Sequence, residues 1–475
     1  MNELDKKIKG VFPEESVFKS PKEYRVFSGY NLPSFVKDWI LRKFTDEYGN
    51  LDVDALKLFL NTHIAHKRSK IKGTLLNDLN EVTLLARIVI EPDIKSGILR
   101  FSIPDIGIKL NEGRIPQYIA KKFPELKGGE VWGVIKLVYI PPEGKQKGAI
   151  EIVDYKPFKP YEVDVEYFRE KRREFSLEEW IDLLIRSMEY NPDGFESLSQ
   201  KLLFLARLLV FVEPNLNMIE LAPKGTGKSY TYNNLSKYGW VINGGVVSRA
   251  KLLYDVARST PGIITRYDFV VLDEIETIKF TDPSELQGAL KNYLELGNFS
   301  VANYKGVSSA GFMLLGNIPL TKDMKPIYNK YFINLPSFFR DSALLDRFHG
   351  FIKGWKLPRM REDLKLEGYA LNVEYFSEIL HKLRTIPDFA KVVDSLLDIP
   401  KNADTRDTKA IVKICTGYLK LLFPHVYKRE DISKKEFETF CLKPALEMRR
   451  IIKTQISLID EEFSNVLPEI KIKQN

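Results

Sequence analysis

Cysteine is scarce in this chain, and no long apolar run interrupts its mixed composition. The two cysteines of the 475 residues, Cys415 and Cys441, lie far from any Cys-x-x-Cys or Cys/His spacing, which predicts two reduced core cysteines rather than a zinc site. No stretch approaches the ~18 uninterrupted apolar residues of a membrane helix, and the first residues lack the apolar segment of an export signal. These absences predict a soluble, cytoplasmic protein without a membrane span.

Histidine is also rare, and the two signs of charge are nearly balanced. His63 and His66 are three residues apart, but no carboxylate or cysteine nearby completes a metal shell, so ordinary surface histidines are expected. Lysine plus arginine total 72 against 64 for aspartate plus glutamate, a net charge of +8. This small excess is compatible with a nucleic-acid partner but does not indicate one.

Length and periodicity indicate several domains. A chain of 475 residues with 44% hydrophobic and 29% charged residues is globular and too long for one core. Residues 1–73 show short amphipathic helical patterns, whereas residues 74–155 alternate with a period of two between glycine and proline breaks. We predict a small helical module followed by a β-rich domain, either a barrel of the oligonucleotide-binding (OB) kind or a compact sandwich. Such a barrel would either grip nucleic acid or serve as the collar of a ring.

The second half of the chain is predicted to be an α/β ATPase with helical additions. A proline-punctuated run at residues 155–161 indicates a linker and a domain boundary. Residues 156–212 are predicted as linker and helices, the first of which opens with the capping box Ser176-Leu177-Glu178-Glu179. Residues 213–355 are predicted to form the ATPase core, and residues 356–475 a helical lid with C-terminal helices.

The strongest chemical signal follows the apolar strand at residues 217–221. The next residues are Ala222-Pro223-Lys224-Gly225-Thr226-Gly227-Lys228-Ser229, which complete the order strand, loop and helix of a phosphate-binding loop. The two glycines let backbone N–H groups turn towards the phosphates of ATP, Lys228 supplies a positive charge, and Ser229 supplies a hydroxyl for Mg²⁺. Ala222 departs from the usual glycine, which would cost conformational freedom only if its φ were positive.

Two carboxylates follow the next strongly apolar run, residues 269–272. A buried parallel strand of this kind delivers Asp273 and Glu274 to the carboxyl edge of a sheet. Asp273 is predicted to hold the Mg²⁺ shell, and Glu274 to orient and deprotonate the attacking water. The sequence therefore predicts hydrolysis of ATP as well as binding.

Two further polar residues follow in the order that ring-forming AAA+ ATPases show. Asn317 ends the apolar strand at residues 311–316 and is predicted to be sensor 1, which helps to hold the water or the γ-phosphate; the alternative is an ordinary strand-end asparagine. Arg347 follows a short apolar helix, where AAA+ rings present an arginine finger to the neighbouring subunit; the alternative is an arginine in a salt bridge. If Arg347 is the finger, the active enzyme is not a monomer.

Together these segments resemble the ATPase core of BrxL, the Lon-related AAA+ family of BREX phage-defence systems. The resemblance rests on Asn317 and on residues 222–229, 269–274, 345–355, 178–187 and 405–411. It covers most of the chain from residue 155 to residue 425 and, more loosely, the N-terminal part. Full-length BrxL proteins continue into a Lon-protease-like domain, for which the sequence after Arg406 leaves no room, so we expect either a short form or a stand-alone relative, without proteolysis.

The resemblance implies further properties. BrxL-type proteins have a core similar to that of the minichromosome maintenance (MCM) helicases, assemble as hexameric rings that can pair, and bind DNA in the central channel. By this resemblance Arg406 is the sensor 2 arginine of the lid. Lys305, in a hairpin between residues 298 and 309, would face the pore and touch DNA; the alternative is an ordinary surface lysine. The defence role would bring other defence-system proteins as partners.

The leading function is therefore an ATP-hydrolysing ring that binds DNA and translocates on it or remodels it in phage defence. A replicative or plasmid helicase would use the same core and is the first alternative. A protein-remodelling ATPase would need an aromatic pore loop and is the second, because Tyr304 stands next to Lys305. A fold that binds nucleotide only for assembly is the third, and Glu274 and Arg347 argue against it.

Overall fold

A computed structural model gives the fold and describes residues 2–30, 32–46, 51–64, 70–77, 81–94, 96–144, 147–157 and 163–473. The chain divides into two compact units. The larger unit comprises Met1–Pro21, Pro33–Phe35 and Glu162–Asn475, and the smaller unit comprises Lys22–Leu32 and Val36–Tyr161.

The described residues form both helices and strands, and none of these helices is both long and apolar enough to cross a membrane. The helices are α1 (Glu3–Val11), α2 (Pro21–Tyr24), α3 (Ser34–Lys43), α4 (Val53–His63), α5 (Lys70–Asn77), α6 (Gln117–Lys122), α7 (Val165–Lys171), α8 (Leu177–Ser187), α9 (Leu198–Leu205), α10 (Leu209–Val212), α11 (Lys228–Asn234), α12 (Arg249–Leu252), α13 (Pro283–Leu296), α14 (Ser342–Leu345), α15 (Val373–Arg384), α16 (Asp388–Leu396), α17 (Thr405–Leu422), α18 (Lys434–Phe437) and α19 (Lys443–Ser457). The strands are β1 (Ser16–Lys19), β2 (Val82–Asp93), β3 (Ile98–Ile103), β4 (Ile108–Ile115), β5 (Gly129–Ile140), β6 (Ala149–Pro157), β7 (Asn217–Ala222), β8 (Gly239–Val247), β9 (Tyr254–Asp255), β10 (Thr260–Pro261), β11 (Phe269–Phe280), β12 (Asn298–Val301), β13 (Tyr304–Val307), β14 (Gly311–Asn317), β15 (Gly350–Lys353), β16 (Gly368–Leu371), β17 (Leu397–Asp398) and β18 (Lys471–Ile472).

The smaller unit is built around a closed five-stranded barrel in the order β2-β3-β4-β6-β5. Alternate side chains of β2, such as Ile88 and Ile90, fill its interior because successive residues of a strand point to opposite faces. β4 is not apparent from the sequence, because polar residues and Gly113 hide its alternation. That glycine is needed for close approach, since a Cβ there would lie 2.2 Å from the carbonyl oxygen of Phe101.

The larger unit contains a five-stranded sheet in the order β15-β7-β14-β11-β8, and every pairing in it is parallel. β7, β14 and the first half of β11 are buried because both faces of the sheet are covered there; Leu286 and Leu290 of α13 pack in the same core as Val270 and Leu272 of β11. The carboxyl ends of all five strands meet at one edge. This mixed α/β arrangement is consistent with a P-loop ATPase domain.

The position of the two carboxylates in β11 corrects one prediction. The apolar pattern places them where the strand ends, but β11 continues to Phe280. Its pairing with β14 stops at Leu272, and its register with β8 shifts between Asp273 and Ile278. Such a bulge breaks the ladder and re-aims side chains. Asp273 and Glu274 therefore lie at an irregularity within a long strand.

The first residues pack with the larger unit, so the predicted helical module of residues 1–73 is divided between the two units. β1 pairs antiparallel with β16. The Asp5 carboxylate lies 2.7 Å from Nη1 of Arg186 and accepts a hydrogen bond from the backbone N–H of Tyr369, 364 residues away in sequence. Helical periodicity carries no information on such distant contacts.

Several smaller predictions have clear outcomes. The capping box before α8 is present, and later in the helical segment predicted at residues 156–212 a 3₁₀ turn separates α9 from α10. Cys415 and Cys441 are buried and free. His63 stacks on Phe59, whereas His66 and most of the predicted linker lie outside the described residues.

Asp5→Ala should lower the free energy of unfolding by about 3–5 kcal/mol, because the buried Arg186 guanidinium loses its carboxylate. Lys7→Ala is the matched control in the same helix; it removes the one-third exposed pair with Glu179 and should cost ~0–1 kcal/mol. Urea denaturation measures both. Equal transition midpoints for the two variants would mean that the contact of Asp5 with Arg186 does not stabilise the packing of α1.

Candidate nucleotide site

The loop between β7 and α11 has the backbone of a phosphate-binding loop. Gly225 and Gly227 have φ angles of +86° and +73°, which favour glycine. A Cβ at Gly227 would also lie 1.8 Å from the hydroxyl of Tyr190, so space as well as φ requires glycine there. Ala222 is the last residue of β7 and has extended backbone, so its departure from glycine costs no conformational freedom.

The remaining residues of the loop differ in how far their side chains are exposed. Pro223 and Thr226 are buried, and the Thr226 hydroxyl lies 3.4 Å from the carbonyl oxygen of Pro223. Lys224 is exposed. Lys228 is buried, and Ser229 is half-buried at the start of α11. The loop therefore presents Lys224 outwards and keeps Lys228 near the sheet.

A buried ion pair, which the sequence reasoning missed, supports the loop. Both side chains are fully buried; Arg207 donates hydrogen bonds of 2.6 and 3.0 Å to the Glu220 carboxylate and one of 3.0 Å to the carbonyl oxygen of Thr226. Burial opposes the charge of Arg207, but Glu220 outweighs it and raises the arginine pKa. The sequence does contain a hint of this pair, because Arg207 and Glu220 are each a charged residue inside a strongly apolar run.

At the carboxyl edge of the sheet, side chains from neighbouring elements form a chain of hydrogen bonds. The register places Asn317 of β14 opposite Ala222 of β7. Lys228 Nζ donates to Asn317 Oδ1 at 3.1 Å, and Asn317 Nδ2 donates to the Glu276 carboxylate. The motifs in the sequence do not indicate Glu276. A hint of its position is that it alternates with Glu274 around Ile275, which is buried. Strand pairing thus brings the predicted sensor 1 to the phosphate-binding loop.

At the bulge in β11, the side chains of the two predicted acids, Asp273 and Glu274, point in different directions. Asp273 is 2% exposed, and its Oδ1 accepts the backbone N–H of Glu274 at 2.8 Å. Glu274 is exposed and has a φ of +50°, which costs a residue with a side chain roughly 1–3 kcal/mol. Backbone strain of this kind is retained mostly at functional sites. One acid is therefore directed inwards and the other outwards.

These residues fit the nucleotide and the cation that the sequence predicts. At Gly225 and Gly227, which have positive φ, the loop backbone carries no Cβ atom, as close approach to phosphates requires. The Ser229 hydroxyl and the Asp273 carboxylate are oxygen donors of the kind that Mg²⁺ prefers. Lys228 carries a positive charge of the kind that binds phosphates.

Arg347 and Arg406 lie together in a second cluster. Nε of Arg347 is 3.3 Å and Nε of Arg406 is 2.9 Å from the same oxygen, Oε2 of Glu295. The backbone of Arg347 contacts Asn217, the first residue of β7, whereas the phosphate-binding loop follows the last residue of that strand. At roughly 3.3 Å per residue, β7 separates these ends by about 16 Å. The structure therefore does not bring the two arginines close to Lys228 and the phosphate-binding loop of the same chain.

Lys305 lies on the β12–β13 hairpin and is exposed. Its neighbour Tyr304 stacks on Tyr254, with ring centroids 3.9 Å apart and an interplanar angle of 5°. Tyr304 also contacts the ring of Phe299. The hairpin therefore presents its lysine to solvent and packs its tyrosine against the protein.

Comparison with known proteins adds independent findings. Residues 150–469 match the family described as "Lon-like protease BrxL-like, ATPase domain", and residues 10–139 match "BREX system Lon protease-like protein BrxL N-terminal". A "Lon-like protease BrxL" of Bacillus cereus (strain H3081.97) is 30% identical over 468 residues, covering 97% of this chain and 67% of the relative. Another, of Escherichia coli O9:H4 (strain HS), is 27% identical over 434 residues, covering 90% of this chain and 61% of the relative. The chain thus spans about two-thirds of the length of these curated relatives.

Arg207→Ala should lower the free energy of unfolding by about 3–5 kcal/mol, because it leaves the Glu220 carboxylate buried and unpaired. Replacing both residues, Arg207→Met with Glu220→Leu, should restore most of that stability. The double variant still lacks the hydrogen bond to Thr226, so its ATP affinity should stay roughly tenfold lower. Urea denaturation and titration with a fluorescent ATP analogue measure the two effects. Full ATP affinity in the double variant would mean that Arg207 does not hold the loop.

Proposed function

The chain belongs to the BrxL family, as its resemblance predicted, and from this premise we propose that it is an ATP-hydrolysing AAA+ ring that acts on DNA. The observation that carries the proposal is the placement of two groups at opposite ends of β7. The loop with Lys228 follows one end, and Arg347 contacts the other. A site divided in this way would be completed by the arginines of a neighbouring subunit.

In the proposed reaction, Lys228 and the loop N–H groups bind the β- and γ-phosphates. Ser229 and Asp273 would hold Mg²⁺, which supplies charge neutralisation of the phosphate oxygens when bound. Glu274, exposed at the bulge, would orient the water and take its proton. Asn317, already hydrogen-bonded to Lys228, would sense the γ-phosphate. Its second contact, Glu276, would keep the amide in that orientation.

The ring follows from the proposed role of Arg347. An arginine finger adds positive charge to the γ-phosphate in the transition state, and a neighbouring subunit can supply it. Arg406 shares Glu295 with Arg347, which supports a common role for both on the neighbour's nucleotide. On this proposal α17 belongs to the lid, and the subunits form a hexamer or a pair of hexamers.

DNA is the proposed substrate of the ring. The closed five-stranded barrel of the smaller unit supports the OB kind, which binds single strands through one face and its loops. Exposed Lys305 would contact a phosphate in the central channel. The family's BREX context places the activity in phage defence, with other defence proteins as partners. The stacking of Tyr304 on Tyr254 weighs against a protein-remodelling ATPase with a free aromatic pore loop.

Glu274→Gln should leave ATP affinity unchanged and slow hydrolysis by roughly 10²- to 10⁴-fold, the usual contribution of a general base. The control is Glu285→Gln, which changes an exposed carboxylate on α13 that pairs with Arg249. Steady-state phosphate release and nucleotide titration give both quantities. Continued turnover in Glu274→Gln would remove this residue from the role of base and direct attention to Glu276.

DNA should stimulate ATP hydrolysis by a particle that light scattering sizes as a hexamer or larger, and the stimulation should fade between two salt concentrations. Lys305→Ala should weaken DNA binding. The plot of the logarithm of the binding constant against the logarithm of salt concentration should become shallower by about one unit of slope, because one lysine no longer contacts a phosphate. Lys391→Ala, on α16 and paired with Asp388, is the control for an exposed lysine elsewhere. An ATPase rate indifferent to DNA would overturn DNA as the substrate.

A further inference from the structure

We propose that Glu295 is a positioning residue that holds Arg347 and Arg406 as one unit for the nucleotide of the neighbouring subunit. The proposal rests on the function proposed above, because it requires a ring in which one subunit serves the site of the next. It adds a residue that neither the motifs nor the resemblance indicated.

The first support is that one carboxylate oxygen serves both arginines. Oε2 of Glu295 is 3.3 Å from Nε of Arg347 and 2.9 Å from Nε of Arg406. Among the described residues, Glu295 is the carboxylate within ion-pair distance of Arg347, whereas Arg406 has a second one, Asp346, at 3.0 Å. Loss of the Glu295 charge would therefore release Arg347 more completely than Arg406.

The second support is the contrast with a nearby arginine that is purely structural. Arg449 is fully buried and uses Nε, Nη1 and Nη2 in hydrogen bonds to Asp407, Asp346 and the carbonyl oxygen of Phe348. Arg347 is different: its Nη1 donates to the carbonyl oxygen of Ala343, but its buried Nε makes no hydrogen bond in spite of its distance to Glu295. Its Nη2 makes no hydrogen bond within the described residues, so the guanidinium keeps donors there for a ligand.

The third support is electrostatic. Two guanidinium groups beside one another repel, and burial together with Arg406 lowers the pKa of Arg347, while Glu295 opposes this effect. Burial also opposes the charge of Arg406, but its hydrogen bonds to Glu295 and Asp346 outweigh burial and raise its pKa. The carboxylates of Glu295 and Asp346 therefore allow both arginines to stay close and charged, and Glu295 is the one within ion-pair distance of both.

The carboxylate itself is held in place by the backbone around it. Glu295 lies in the last turn of α13, and Lys409 donates a hydrogen bond to its carbonyl oxygen. The Asn217 side chain donates to the carbonyl oxygens of Leu294 and Arg347, at 3.1 and 3.4 Å. This amide joins the end of α13 to the segment that carries Arg347, so Glu295 and Arg347 are fixed relative to each other.

Glu295→Gln tests the proposal, because it keeps the size of a side chain that is 26% exposed and removes its charge. We expect unchanged ATP affinity and particle size, an unchanged KM, and a kcat lowered at least tenfold. Normal turnover in this variant would overturn the proposal. Loss of ATP binding would overturn it as well, because Glu295 would then be an element of the fold rather than a positioning residue.

Mixed rings separate this role from a defect in the subunit's own site. Glu274→Gln subunits lack their own base but present normal arginines, so mixing them with Glu295→Gln subunits should restore turnover well above the sum of the two separate rates. Mixing Glu295→Gln with Arg347→Ala should restore nothing, because both are defective in the same presented group. Failure of the first mixture to recover, or recovery in the second, would overturn the role of Glu295.

The same design distinguishes a failure of the proposed function. Glu274→Gln and Arg347→Ala subunits should also complement each other, since one presents arginines and the other keeps an intact base. If that mixture stays inactive, the ring with shared sites fails, and so does the premise. If it recovers while Glu274→Gln mixed with Glu295→Gln does not, the ring stands and only the role of Glu295 is refuted.

Discussion

The pairing of β7 with both β14 and β15 is the constraint on which the site depends. β7 is buried along its whole length, and its parallel neighbours fix its register. One end of the strand delivers the phosphate-binding loop beside Asn317, and the other contacts Arg347. A rigid strand of this length keeps the two groups apart within one chain. This separation is the basis for the proposed site shared between subunits.

Buried charges are used in this protein where backbone position must be exact. Arg207 joins Glu220 to the loop carbonyl of Thr226, and Arg449 joins the start of α17 to the segment after α14. Such pairs give little net stability compared with apolar residues of the same size, but breaking one is costly. They also satisfy directed hydrogen bonds that apolar packing cannot supply. This is a physical reason for charges in an otherwise apolar core.

One helix connects the proposed DNA contact with the proposed arginine pair. α13 ends at Leu296, and the hairpin that carries Lys305 begins two residues later at Asn298. Glu295, in the last turn of α13, contacts both arginines. The hairpin and the carboxylate that contacts both arginines therefore lie at the same end of one helix.

The sequence by itself determined the local chemistry. Strand, loop and helix around Lys228, the acids after residue 272, the capping box before α8 and most barrel strands depend on short-range pattern, and each was predicted from it. Tertiary structure alone decided which of these meet. The continuation of β11 beyond Glu274, the support of the loop by Arg207, the pairing of β1 with β16 and the sharing of Glu295 by Arg347 and Arg406 all join distant segments. Periodicity and propensity describe a residue's neighbours along the chain, whereas these contacts are set by the register of the sheet and the packing of helices on it.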